Sequence, residues 1–140
     1  LPLYLQSLEK AIESLEKAVQ IAQDEAFTGK LDASQQELME SGVIQRFEFT
    51  FELAWKMIQR WIRMNLSPES ADTRTKKDLF RVAAQQGLIA DPEQWFQYHA
   101  ARNVSSHTYD EDLAESVYKT AIRFTADVRS LLNELKNRDD

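Results

Sequence analysis

Apolar residues recur at helical spacing along most of the chain. In the first segment Leu5, Leu8, Ile12, Leu15, Val19 and Ala22 form one stripe, with Glu9, Glu13, Glu16 and Lys17 elsewhere. This spacing predicts a helix from about Pro2 to Phe27, since proline is tolerated in a first turn. The stretch TGKLDAS, with Gly29, reads as its stop. A second helix is predicted from roughly Gln36 to Asn65. One of its stripes is Ile44, Phe47, Phe51, Trp55, Ile58 and Ile62, and Phe49, Leu53, Met57 and Trp61 add an apolar strip on another side. A helix apolar on two sides needs two neighbours, either within a bundle or across a dimer.

NLSPESAD, containing Pro68, reads as a loop. A short third helix follows from about Thr75 to Gln86, burying Leu79, Phe80, Val82 and Ala83 and ending at Gly87 as C-cap. Asp91 followed by Pro92 is a helix-start signal, and the fourth helix runs to around Ser105 with Trp95, Phe96 and Tyr98. Asp110 or Asp112 opens the fifth, which continues to about Leu135 over Leu113, Val117, Ala121, Phe124, Val128, Leu131 and Leu135. The tail KNRDD reads as loose. Four long helices and one short one, joined by short connections, predict an all-α fold: an antiparallel four-helix bundle in a single domain, residues 1–140.

Composition agrees with that pattern and narrows the function. The 140 residues are 43% apolar and 29% charged, with three Gly, three Pro and no Cys. The absence of cysteine removes disulfides and thiolate metal sites. No apolar run has the length of a membrane-spanning helix, and no basic-then-apolar segment opens the sequence, so the expectation is a soluble cytoplasmic protein. The net charge of −6 argues against a dedicated duplex-DNA binder, which must replace phosphate counterions with a basic surface. Contact with nucleic acid then has to be local. Arg74, Lys76, Lys77 and Arg81 are the one basic cluster, and Arg74, Lys76 and Lys77 are candidates for gripping RNA phosphates or an acidic partner. Their plain reading is a solvated helix start.

The candidate chemistry lies in ARNVSSHTYD, where Arg102, His107 and Tyr109 fall close together. On a straight helix Arg102 and His107 point about 140° apart, so they converge only if the helix ends between them. Asn103, Ser105 and Ser106 favour such an ending. Arg102 carries a permanent charge that forks onto phosphate, and His107 titrates near neutrality. Together they suit cleavage of RNA without a metal: His107 as base toward a 2′-hydroxyl or as acid toward the leaving group, Arg102 stabilising the charge that develops on phosphorus, Asn103 orienting either. The structural alternative is a histidine at a helix C-terminus and an arginine in a surface ion pair.

Glu48 and Glu52 lie four apart on one helix face and are secondary candidates, able to pair with Arg102 near a cleft. The plain reading is a solvated strip with Glu52 pairing to Lys56. His99, one turn from Trp95, reads as a packed or capped histidine. Two histidines without ligand-like spacing suggest no metal site and no cofactor.

GVIQRFEFTFELAWKMIQRWI followed by ARNVSSHTYDE resembles the HEPN superfamily, and within it the HepT-like nucleotidyltransferase substrate-binding proteins. The resemblance covers nearly the whole chain. It implies a bundle similar to the C-terminal domain of kanamycin nucleotidyltransferase, homodimerisation, and a small nucleotidyltransferase partner encoded nearby. In toxin–antitoxin members of the family it implies a metal-independent endoribonuclease that the partner silences by transferring AMP to the tyrosine of His-x-Tyr. Carried over to this sequence, Arg102, Asn103 and His107 are catalytic and Tyr109 is the AMP acceptor. The same resemblance also implies a second role, that of a noncatalytic subunit presenting substrate to the transferase.

Overall fold

The computed structural model describes residues 3–72 and 74–138. Its helices are α1 (Gln6–Ala22), α2 (Glu25–Thr28), α3 (Ala33–Asn65), α4 (Pro68–Asp72), α5 (Lys76–Gln85), α6 (Pro92–Val104) and α7 (Glu111–Arg138), with a 3-10 turn at Ser105–His107 between the last two. Helix α3 packs on α1 and α7, α1 and α6 both pack on α7, and α5 lies against α6 and α3. The expected helical bundle is therefore present.

Helix starts account for most of the differences from the sequence reading. The expected first helix divides at Gln23, because the Asp24 side chain accepts from the Ala26 and Phe27 N–H groups and caps a new helix. Pro2, expected in its first turn, lies outside the described residues. Helix α3 begins three residues earlier than expected, since Asp32 and Gln35 form a reciprocal capping box. The predicted loop around Pro68 holds the short α4, begun by Ser67, whose Oγ accepts from Ser70 N–H at 3.0 Å. Gly87 behaves as expected: at φ +79° it terminates α5, with Gly87 N–H and Leu88 N–H reaching back to the Ala84 and Ala83 carbonyls. Helix α7 runs through Lys136, Asn137 and Arg138, so that part of the tail is helical; Asp139 and Asp140 lie outside the described residues.

The core is built on aromatic rings. Phe124 of α7 is their hub, at 5.0 Å from Tyr98, 5.2 Å from Phe47, 5.5 Å from Trp95 and 6.0 Å from Phe51, mostly edge to face. Such pairs add to the burial energy of the rings themselves. Leu8, Ile12 and Leu15 complete the core from α1 and are fully buried. Two polar side chains that enter it are satisfied: Thr50 Oγ1 donates to the Ala11 carbonyl at 3.3 Å, and Tyr98 Oη donates to Asp127. Burial, with Asp127 adding to it, pushes the Tyr98 phenol well above its ordinary range. Ion pairs between Glu16 and Arg129 and between Glu9 and Lys136 clip α1 to α7 at the rim.

The second apolar strip of α3 is covered unevenly. Trp61 is buried, Leu53 and Met57 are half-buried, and Phe49 stays 42% exposed, with Leu38 further out at 75%. Trp55, placed by its spacing on the core stripe, is only partly buried. It belongs to the site side of the helix.

Candidate functional site

Three elements build the site: the middle of α3, the end of α6 and the turn that follows it. Helix α6 ends at Val104 and tightens into the 3-10 turn, where Ser105 is buried and its Oγ donates to the Glu48 carboxylate at 2.6 Å. Ser105 Oγ is also 2.9 Å from the Arg102 carbonyl, so it ties the last turn of α6 to α3.

Arg102 turns toward α3. Its Nη1 donates to Glu48 Oε2 and to Ser105 Oγ, each at 3.2 Å, and its Nε lies 3.4 Å from Glu52 Oε1 without hydrogen-bond alignment. That last contact is an ion pair by proximity only. Trp55 Nε1 donates to the other Glu52 oxygen at 3.0 Å. The Arg102 and both glutamate side chains are about one-third exposed or less, which strengthens the attraction relative to a fully solvated pair. A cation in the last turn of a helix is also favoured by the helix dipole.

Glu48 and Glu52 are thus not the solvated strip of the plain reading, and Glu52 pairs with Arg102 instead of Lys56. Lys56 stands with its ammonium 5.9 Å from the Trp55 ring.

His107 and Tyr109 face the other way. Both are exposed, Tyr109 at 84%, and their rings meet edge to face at 5.9 Å. The backbone here is held from below: Asp110 N–H donates to the His107 carbonyl at 3.2 Å, and Asp110 Oδ1 caps α7 through the Asp112 and Leu113 N–H groups. Asn103 is exposed on the same end of α6. The helix ends between Arg102 and His107, as their separation requires, yet within one chain the two side chains have different neighbours. Arg102 has Glu48, Glu52 and Ser105; His107 has Tyr109.

Of the basic cluster, Arg74 and Lys77 are exposed and Lys76 is half-buried, its ammonium 4.7 Å from the Trp55 ring centre. This lysine therefore adjoins Arg102 through Trp55 and Glu52. Ser105 and Trp55 are site residues that sequence reasoning misses. The signal for Ser105 is its place one turn beyond Arg102, which in the sequence suggests only the end of a helix.

His99 lies between the core and this site. Its ring stacks on Phe51 at 6.3 Å and its Nδ1 is buried without a partner. Burial first, then the charges of Lys76 and Lys77, hold its pKa below the ordinary histidine value, with Glu52 opposing. Above an unfolded-state pKa of about 6.5 the histidine is neutral in both states and costs nothing. As pH falls below that value the unfolded chain takes up a proton first, so folding stability declines until the native histidine also protonates. We predict that thermal unfolding moves to lower temperature between pH 7 and pH 5, and that His99→Phe, which keeps a ring against Phe51, flattens this part of the profile. An unchanged profile in His99→Phe would assign the decline to other groups.

Among the described residues no helix is long and apolar enough to cross a membrane.

The family model for nucleotidyltransferase substrate binding protein like chains matches residues 3–137. A Haemophilus influenzae protein named "Probable ribonuclease HepT" is 33% identical over 138 residues, covering 98% of this chain and 94% of that protein. A solved Haemophilus influenzae structure, described as revealing the fold of a substrate binding domain of a nucleotidyltransferase, superposes with a TM-score of 0.90 at 33% identity, over 94% of this chain and 98% of that one. A crystal structure from Thermus thermophilus superposes with a TM-score of 0.73 at 26% identity, over 92% of this chain and 98% of the other. By sequence over nearly its full length and by fold, this chain belongs to the nucleotidyltransferase substrate-binding-protein-like family.

Proposed function

We propose that this chain is the toxin of a toxin–antitoxin pair: a metal-independent endoribonuclease of the cytoplasm that works as a homodimer and is silenced by AMP transfer to Tyr109 from a partner nucleotidyltransferase. The observation that carries this reading is the arrangement of the α6–α7 turn. Arg102 is held rigidly at its base, and His107 and Tyr109 are presented together on its outer side.

The chemistry follows from those positions. In the dimer, an RNA phosphate lies between the turns of two copies. His107 takes the proton of the ribose 2′-hydroxyl, the oxygen attacks phosphorus, and the bond to the 5′-oxygen breaks. The leaving oxygen receives a proton from the other copy's histidine, giving a cyclic phosphate and a free 5′-hydroxyl. Arg102, whose Nη1 is held by Glu48 and Ser105, stabilises the phosphorane with its positive charge. Glu48, Glu52 and Ser105 are positioning residues that fix the guanidinium. Asn103, exposed one residue further on, orients the phosphate.

Silencing is a nucleotidyl transfer. The Tyr109 oxygen attacks the α-phosphorus of ATP, pyrophosphate leaves, and the phenolic proton passes to a base of the transferase. The exposure of Tyr109 makes it available to a second enzyme, and the AMP places a bulky anion where the RNA phosphate must sit. Mass spectrometry of the protein mixed with its neighbouring transferase and Mg-ATP tests this. The expected result is one or more AMP increments on Tyr109 and none on Tyr109→Phe. AMP that persists on Tyr109→Phe moves the acceptor elsewhere.

A second reading, a noncatalytic subunit that presents substrate to the transferase, draws support from the likeness to the substrate-binding-domain fold. An active complex with another substrate, in which Tyr109 stays unmodified, favours it.

A further inference from the structure

The ribonuclease reading leaves open what form of RNA the protein accepts. Four of the chain's 17 Lys and Arg residues lie between positions 74 and 81 in a chain of net charge −6. In the structure Arg74 is exposed, and the other three stand against aromatic rings. Lys76 Nζ stands 4.7 Å from the ring centre of Trp55 on α3, Lys77 Nζ 5.6 Å from that of Phe96 on α6, and the Arg81 guanidinium 5.1 Å from Phe96. Trp55 and Phe96 are each partly buried and packed against the core. The basic helix α5 thus runs between two aromatic rings, each with two cations beside it, Lys56 and Lys76 at Trp55 and Lys77 and Arg81 at Phe96.

This ledge is continuous with the catalytic turn. Arg102 contacts Glu52, Glu52 accepts from Trp55 Nε1, and Trp55 carries Lys76. Trp55 is therefore the aromatic ring next to Arg102, the residue proposed to hold the scissile phosphate.

We infer that Trp55 and Phe96, with Lys76 and Lys77, form a flanking subsite for single-stranded RNA, in which bases stack on the two rings and the lysines hold the intervening phosphates. The inference rests on the ribonuclease reading for its substrate. A planar base replaces the cation over each ring, and the displaced ammonium moves to the adjacent phosphate, so neither group loses a partner. An acidic protein surface would satisfy the lysines but offer no planar group to the rings. A duplex would satisfy the phosphates but keep its base faces stacked inside the helix. Single-strand proteins join aromatic platforms and cations in this way, and the stacking tolerates any base. The acidic remainder of the surface repels RNA, which concentrates binding on the ledge.

The test is fluorescence anisotropy with a labelled single-stranded RNA of about 12 nucleotides and a hairpin duplex of equal length. A His107→Ala background keeps the probe intact, and cleavage by the otherwise unaltered chain is followed in parallel. We expect the single strand to bind more tightly than the hairpin. Trp55→Leu should weaken it about ten-fold, and Trp55→Phe, which loses the bond to Glu52 but keeps a ring, should restore most of that loss. Lys76→Gln should reduce the slope of log affinity against log salt by about 0.7. Circular dichroism establishes that each variant is folded.

Equal binding of hairpin and single strand overturns the inference, as does parent-level binding and cleavage by Trp55→Leu and Lys76→Gln. In that second case the ribonuclease reading stands without the ledge. Ledge-dependent binding with no cleavage by the unaltered chain does the reverse. Loss of transferase capture in Lys76→Gln, with RNA binding unchanged, assigns the lysines to a protein partner and also overturns it.

Discussion

Arg102→Ala is expected to lower RNA cleavage by about 10²-fold or more, and His107→Ala by about 10²- to 10⁴-fold, with toxicity lost in both. The two effects have separate origins. In the proposed mechanism Arg102 supplies a fixed positive charge at the developing phosphorane, and its value there depends on being held before the substrate arrives. Glu48, Glu52 and Ser105 do that holding. His107 is the proton carrier of that mechanism and is exposed on the outer side of the turn. Neither residue is part of the buried core, so the helical fold should survive both changes. Arg102→Ala leaves two carboxylates without their cation, which at this degree of exposure costs about 1 kcal/mol of stability. Arg102→Lys separates charge from geometry: it keeps the positive charge but cannot fork onto two partners. Cleavage rates and circular dichroism measured on the same preparations decide the matter. Cleavage retained in Arg102→Ala or in His107→Ala would remove that residue from the chemistry.

Phe124→Ala is expected to destabilise the protein by about 3–5 kcal/mol. Phe124 has no exposed surface and touches rings from α3 and α6 at once: Phe47, Phe51, Trp95 and Tyr98. Truncation removes its buried area and leaves a cavity between helices that cannot close without moving α6 relative to α3. Since a domain of this size has a total stability of roughly 5–15 kcal/mol, the variant should be near the edge of folding at ambient temperature. Urea unfolding gives the loss directly, and Phe124→Leu, which fills most of the space, should lose much less. A loss below about 1 kcal/mol for Phe124→Ala would mean that the aromatic cluster repacks freely. The consequence reaches the site, because Arg102 sits on α6 and its carboxylate partners sit on α3. A shift between those helices would pull them apart, and residual folded Phe124→Ala protein should cleave RNA poorly.

The helical spacing of apolar residues is sufficient to place every long helix and most buried positions, but it passes over Val43, Leu88, Ile89 and Leu132. Leu8, Ile12, Phe47, Phe51, Phe124 and Leu131 are all legible as core from their spacing and are buried in the bundle, because residues that recur with a 3.6-residue period share a helix face. Gly87 and the Asp91-Pro92 pair mark helix boundaries through chemistry that depends on a few neighbouring residues alone. The boundaries that apolar spacing misplaces are those set by polar caps at Asp24, Asp32 and Ser67. These caps are local signals too, carried by one side chain and the backbone two or three residues on.

The site divides along the same line. Arg102, His107 and Tyr109 are close in sequence, so their common turn can be read directly, and the family resemblance rests in part on them. The partners of Arg102 cannot be ranked that way. Glu48 is 54 residues away and reaches Arg102 only because α3 and α6 come together in the bundle. In the sequence an i,i+4 lysine competes equally well for Glu52, and only packing removes that choice. The Trp55 ring, assigned by its period to the core, stands at its edge with Lys76 against it. Periodicity records which face of a helix is apolar; it does not record where the neighbouring helix stops covering it. Helices, buried faces and the turn that carries His107 and Tyr109 are thus written in local residue patterns. Which charges meet is settled by packing, because ion pairs between distant segments depend on relative helix positions that no local pattern encodes.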